Sequence, residues 1–159
     1  VNIFVLSLDP KEAAQAQVDK HVVKMPLETA QLLCSPFEQG DAPYRRTHYN
    51  HPSAVWARQS PENYQWLVTH GVALCDEYAL RYGKQHKSRA VIDWAGQNVT
   101  RLAFQTTGLT PFAQAMPDEY KNPDPVLAYR AYYLGAKARI ATWKLPATPP
   151  AWWQETTHG

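Results

Sequence analysis

Residues 60–83, SPENYQWLVTHGVALCDEYALRYG, admit one regular structure. Tyr64, Leu67, Gly71, Leu74 and Tyr78 recur at three- and four-residue intervals, the period of one helical face. Ser60 is placed to cap the first turn, Pro61 to open it and Gly83 to close the last. Gly71, in the interior, costs helix stability, and its expected use is to let another backbone approach closely.

The remaining segments read as further helices and the loops between them. In LDPKEAAQAQ, Asp9 can cap, Pro10 fits the first helical position and Glu12 completes a capping-box pattern. A second start falls at Asp19, itself read as a cap. Helix continues to about Cys34, with a kink expected at Pro26, which has no N–H to donate. SPFEQGDAPYRRTHYNHP is loop, and a short helix should follow from Pro52 to Gln59. Another helix is expected from about Ser88 to Phe104, with Val91, Ile92, Trp94 and Ala95 among its apolar positions. A last one spans 126–144 and carries Tyr129, Tyr132 and Tyr133 with Arg130, Lys137, Arg139 and Lys144. Residues 106–125 form a proline-rich connector, and Trp152 and Trp153 should dock the tail on the body. The opening VNIFVLSLDP is apolar for seven or eight residues and lacks a basic flank. It reads as a buried strand or extended segment, not a secretion signal. The expected fold is mainly α: a single compact helical domain over residues 1–159 with a short N-terminal extended segment.

A chain of 159 residues buries a real core without metal or disulfide staples. It is 45% hydrophobic and 19% charged, the balance of a globular protein, and no run is apolar enough to span a membrane. Cys34 and Cys75 fall in predicted helices among apolar neighbours, so a reduced pair and a cytoplasmic setting are expected. The net charge of +2 and sequence pI near 8.5 permit nucleic-acid binding without demanding it. Six Trp and nine Tyr stand beside sixteen Lys and Arg, a combination suited to stacking bases and pairing phosphates. The same aromatics would also serve to fill a small core.

One helix face asks for more than solvation. In VDKHVVKMPLETAQLL, His21, Lys24, Glu28 and Gln31 share a stripe, with Val22, Val23, Ala30, Leu33 and Cys34 on the far side as core. A solvated face usually mixes several Glu and Lys pairs. This one holds a single carboxylate beside a His, a Lys and an amide, and the loop that follows offers Arg45, Arg46, His48, Asn50 and His51. Those residue types recognise phosphates and base edges. His21, Glu28, His48 and His51 could instead hold a metal for a hydrolase, but their spacing matches no standard ligand set, and neither a metal nor a cofactor is expected. Cys34 and Cys75 lie on buried faces, where thiols are inert. No Gly-rich phosphate loop and no Gly-x-Ser-x-Gly elbow is present.

DKHVVKMPLE resembles the first helix of the phage-type pyrimidine-dimer DNA glycosylases, the endonuclease V type. That helix carries Asp-x-His and, seven residues after the His, a catalytic Glu, the spacing of Asp19, His21 and Glu28 here. YNHPSAVWARQSPENYQWLVTHGVALCDEYALRYG, which includes Arg58, is similar to the middle of that family. AYRAYYLGAKARIATWK resembles its aromatic and basic C-terminal stretch. The likeness runs through about two thirds of the chain in order; the whole pattern also resembles uncharacterised small phage proteins that begin NIFVL and contain DKHVVKM.

The resemblance implies a helical fold and a DNA glycosylase with lyase activity on a damaged or modified pyrimidine. The N-terminal α-amine, here on Val1, would attack the sugar C1′ and form an imine, and β-elimination would then cut the strand. An α-amine ordinarily titrates at about 7.7–8.0, so much of it is nucleophilic near neutral pH, unlike a lysine. Val1 is small enough that an initiator Met would be trimmed. Glu28 would stabilise positive charge on the sugar and shuttle protons, and His21 would hold the sugar or phosphate. Lys24, Gln31, Arg45, Arg46, His48, Asn50, His51, Arg58, Arg130 and Lys137 would grip DNA, with Tyr129 and Tyr133 available to stack on a displaced base. The implied partner is DNA, bound by a monomer in the cytoplasm. Where the family's helix has arginines beside the Glu, this chain has Leu27 and Gln31. The stretch between Val1 and Asp19 is also longer, and a terminus tied into a strand would be kept from Glu28. Two other readings stand beside this one: the metal-dependent or nucleotide-processing hydrolase, and a non-catalytic phage module that binds DNA or protein.

Overall fold

A computed structural model describes residues 1–158, with the side chain of His158 left aside. Seven α-helices form in the described residues, with no strand: α1 (Pro10–Gln15), α2 (Asp19–Cys34), α3 (Pro52–Ala57), α4 (Pro61–Tyr82), α5 (Arg89–Gln97), α6 (Pro125–Ala136) and α7 (Ala151–His158). The mainly α architecture is as the sequence led one to expect. Residues 1–9 form neither helix nor strand, yet Ile3, Phe4, Val5 and Leu6 are buried as part of the core.

The central element is α4, which packs against α1, α2, α3 and α5. Ser60 accepts the Asn63 amide at its start, and Gly83 ends it in the left-handed conformation at φ 72°. Gly71 does mark a close approach, although side chains rather than backbone come near. A Cβ there would lie 2.9 Å from Thr29 Cγ2 of α2 and 3.2 Å from two methyls of Ile92 in α5. Gly71→Ala should therefore lose about 1–3 kcal/mol through overpacking, despite its better helix propensity. Urea unfolding checks this, and a variant as stable as the parent would mean that the three helices yield.

Several local expectations need correction. Asp9 caps α1, but Glu12 does not reach back to its amide; the Ser7 hydroxyl accepts from Asp9 N and donates to Glu12 Oε2, so the box closes through Ser7. Helix α2 does continue to Cys34 as expected, with Pro26 inside it, because its buried face (Val22, Met25, Thr29, Leu32 and Leu33) outweighs one missing hydrogen bond. Asp19 does not cap its own helix. Its carboxylate accepts from Arg81, Thr142 Oγ1 and the Lys144 amide, tying the C-terminal segment to α2 and α4. Val23, assigned to the core, is 44% exposed. The helices expected to end at Gln59, Phe104 and Lys144 stop at Ala57, Gln97 and Ala136, the last two followed by short 3-10 turns at Val99–Arg101 and Ala138–Ile140. The tail is helical from Ala151, with Trp153 buried and edge-on to Trp143 at 5.2 Å.

Arg81, almost wholly buried, ties these parts together. Its guanidinium donates to Glu77, to the carbonyls of Gln15 and Gln17 at and just past the end of α1, and to Asp19. The two cysteines are free and buried, and burial raises both thiols, Cys75 to about 12. No described helix is long and apolar enough to cross a membrane.

Candidate functional site

The N-terminal segment is held in place by its second and fourth residues, Asn2 against the connector and α6 and Phe4 against α2. The Asn2 amide donates to Ala115 O at 2.8 Å, and its carbonyl accepts from the Ile3 amide and the Tyr129 hydroxyl. Phe4 stacks on the His21 ring, with centroids 4.2 Å apart and planes 13° apart. Because the segment is not in a sheet, its first residue turns toward the helix stripe. The Val1 amine lies 2.9 Å from Glu28 Oε1, with both side chains nearly out of solvent.

Around this pair is a cavity of about 170 Å³, bordered by Val1, Asn2, Phe4, His21, Lys24 and Met25, with Glu28, Tyr132 and Lys137 completing the wall. Lys24 Nζ is 3.4 Å from Glu28 Oε2 as an ion pair, but that buried oxygen receives no hydrogen bond. An acceptor left open in this way costs free energy unless a visiting group fills it. The lone carboxylate therefore faces three cationic groups: the Val1 amine, Lys24 and Lys137. That imbalance favours a ligand bearing an anionic group.

His21 is only 7% exposed, and its Nδ1 is 2.6 Å from the Tyr133 hydroxyl. Burial, then Lys137 and Lys24, lower its pKa to about 4. The second core histidine, His70, is lowered to about 4 by burial alone; its backbone partner, Pro10 O, acts the other way. Both bind a proton more readily in the unfolded chain, near the ordinary pKa of about 6.5. Stability should thus be complete above pH 6.5 and fall as pH drops toward about 4. Urea midpoints taken across that window would contradict this if they stayed level.

The structure brings together Val1, His21, Lys24, Glu28 and Lys137, all predicted from sequence. It separates most of the other expected DNA contacts from them. Arg46 donates to the carbonyls of Ser35, Pro36 and Phe37, so it closes the end of α2 instead of reaching for phosphate. Arg58 bonds Tyr49 O and stacks on its ring, 3.8 Å from guanidinium carbon to centroid, with Arg46 also over that ring at 4.4 Å. Arg130 holds Leu6 O and lies over Trp152, bordering a separate hollow of about 540 Å³ under the C-terminal segment. Tyr129 and Tyr133 are fully buried and hydrogen-bonded in the core, so neither can stack on a displaced base.

Arg45 and Gln31 border a shallow hollow of about 290 Å³ along the same helix, and His48 and Asn50 are exposed. His48 adopts a φ of 52°. His51 Nδ1 accepts the Ser53 amide and caps α3. Its pKa is lowered by burial, then by the Val1 ammonium and His48, with Glu28 opposing, so its ring feels the charges of the pair. Among the described residues no three His, Cys, Asp or Glu side chains gather as a cation site. The ligand set His21, Glu28, His48 and His51 is not assembled, and the metal-dependent reading loses its footing.

Sequence reasoning missed Asn2, Phe4, Met25 and Tyr132 as site residues. Tyr132 was within reach: Tyr129 and Tyr133, four apart, share the buried stripe of α6 and leave Tyr132 on its flank. Its ring lies 5.0 Å from Lys137 Nζ and 5.4 Å from Tyr120, which fits over Gly135. Asn2 carried no signal, since its partners come from residues 113 and 127 positions away. Compared with known proteins, the chain matches no family model, no curated protein and no solved structure.

Proposed function

We propose that this chain is a DNA N-glycosylase with an associated lyase step, in which the Val1 α-amine is the nucleophile and Glu28 the working carboxylate. The observation that carries the reading is the 2.9 Å contact between that amine and Glu28 at the wall of a small, cation-rich cavity. The resemblance of DKHVVKMPLE to the pyrimidine-dimer glycosylases points the same way. The reading requires that the working chain begin at Val1, because the Val1 nitrogen forms an imine only as a free α-amine, not as a peptide amide.

Glu28 Oε1 is placed to take the proton from the Val1 ammonium and free the nitrogen lone pair. The N–C1′ bond forms as the bond to the base breaks, and the base departs with a proton. Glu28 supports the positive charge that develops on the sugar and returns its proton to the ring oxygen as the sugar opens to the imine. Glu28, once more a carboxylate, then takes a C2′ proton as the 3′ phosphate departs, which cuts the strand. Lys24 and Lys137 pair with the flanking phosphates. The cavity, at about 170 Å³, is below the roughly 300–1,000 Å³ usual for a small-molecule site. A sugar fits within it, and the base lies outside, beside Tyr132.

The test uses two duplexes, one with an abasic site and one with a pyrimidine dimer, each incubated with the protein and borohydride. The expected result is a covalent adduct on the abasic duplex and strand scission when borohydride is omitted. An adduct on the dimer duplex would extend the substrate to that lesion. Absence of both adduct and scission on either duplex would contradict the proposal.

A further inference from the structure

The hydrogen-bond arithmetic at Tyr133 decides which nitrogen of His21 carries its proton. The Tyr133 hydroxyl is buried, accepts from the Val18 amide at 3.3 Å, and has one proton of its own to place. Its other polar neighbour is His21 Nδ1, at 2.6 Å. If Nδ1 bore a proton, both neighbours would donate to the same oxygen, and the hydroxyl proton would be stranded in the core, at the cost of an unmet donor. With Nδ1 bare, every group around the hydroxyl is satisfied: Val18 N–H donates to the hydroxyl, and the hydroxyl donates to Nδ1. The proton of the neutral ring then sits on Nε2. That nitrogen has no hydrogen-bond partner among the described residues, and His21 borders the cavity that holds Val1 and Glu28. Phe4 stacks on one face of the ring, and the bond to Tyr133 sets which nitrogen faces the core.

We propose that Tyr133 is a positioning residue that locks His21 as a neutral Nε2–H donor at this cavity, so that the ligand atom meeting His21 is a hydrogen-bond-accepting oxygen. His21 is then neither the general base nor an imidazolium clamp. Its neutral donor stands beside the ammonium groups of Lys24 and Lys137, which border the same cavity. This assignment concerns the protein alone and does not depend on the occupant being DNA.

The experiment is long-range proton–nitrogen correlation NMR on the ¹⁵N-labelled full chain, with no ligand added. At neutral pH the spectrum should show a bare Nδ1 and a protonated Nε2 for His21. A slowly exchanging Tyr133 hydroxyl proton should lie close to the ring and vanish in Tyr133→Phe. The pattern should persist as pH falls to about 5. A protonated Nδ1, or a His21 titrating near the ordinary histidine value, overturns the proposal. The second arm substitutes the ring and reads abasic-duplex adduct formation by borohydride trapping. His21→Gln keeps an amide donor near the Nε2 position and should retain trapping within about tenfold. His21→Asn keeps only the acceptor for Tyr133 and should lose about 10²-fold. Equal losses in the two variants would contradict an Nε2–H role. A chain that traps no DNA but shows the expected nitrogen pattern would fail the glycosylase reading and leave the His21 assignment standing.

Discussion

Glu28→Gln is expected to slow strand scission at an abasic site by about 10²–10⁴-fold, the range for losing a positioned general acid–base. The amide keeps the shape of the carboxylate and can still accept from the Val1 amine, so the cavity should hold its form. It cannot take a proton or support a positive sugar. It also leaves the Val1 amine and Lys24, 2.9 and 3.4 Å away, without their counter-charge. Formation of the trapped adduct should fall too, and scission further, because Glu28 acts before the imine, at the Val1 nitrogen and the ring oxygen, and again at C2′. Thermal unfolding of the variant guards against a folding defect. A rate within about threefold of the parent would make Glu28 a structural counter-ion and remove it from the chemistry.

Extending the chain by one glycine before Val1 should abolish the borohydride adduct altogether. The α-nitrogen of Val1 becomes an amide with no lone pair to give, and the new amine is displaced by about 3.5 Å, one residue of chain. Asn2 and Phe4 fix the segment on the far side, so the added residue can only enter the cavity or be pushed out of it. On the proposed reading, binding to duplex DNA should be little changed, because Lys24, Lys137 and the exposed Arg45 are untouched. A fully reactive extended chain would contradict a nucleophile at Val1.

The helices were legible because their signals are local. Ser60, Pro61 and Gly83 frame α4, and Asp9 caps α1 through bonds to neighbouring amides. Helix ends were less legible where tertiary contacts decide them. Residues 141–144 carry a helical pattern, but Thr142 and Lys144 bond to Asp19 and draw the chain out of α6. The core of the site was visible for the same local reason, since His21, Lys24 and Glu28 sit on one face of one helix. Basic residues misled because a guanidinium suits a carbonyl cluster as well as a phosphate. Arg46 and Arg130 spend their donors inside the fold, a choice that composition and spacing do not record. Tyrosines misled similarly: three in one helix look alike until packing buries Tyr129 and Tyr133 and leaves Tyr132 at the cavity.

Peptide mass mapping of the reduced adduct on abasic DNA tests the central claim most directly. The cavity holds three amines, those of Val1, Lys24 and Lys137, and any of them could in principle form an imine. The account predicts that the sugar remnant is carried on the Val1 α-nitrogen, with both lysines unmodified. A remnant on Lys24 or Lys137, with the Val1 amine free, would contradict it.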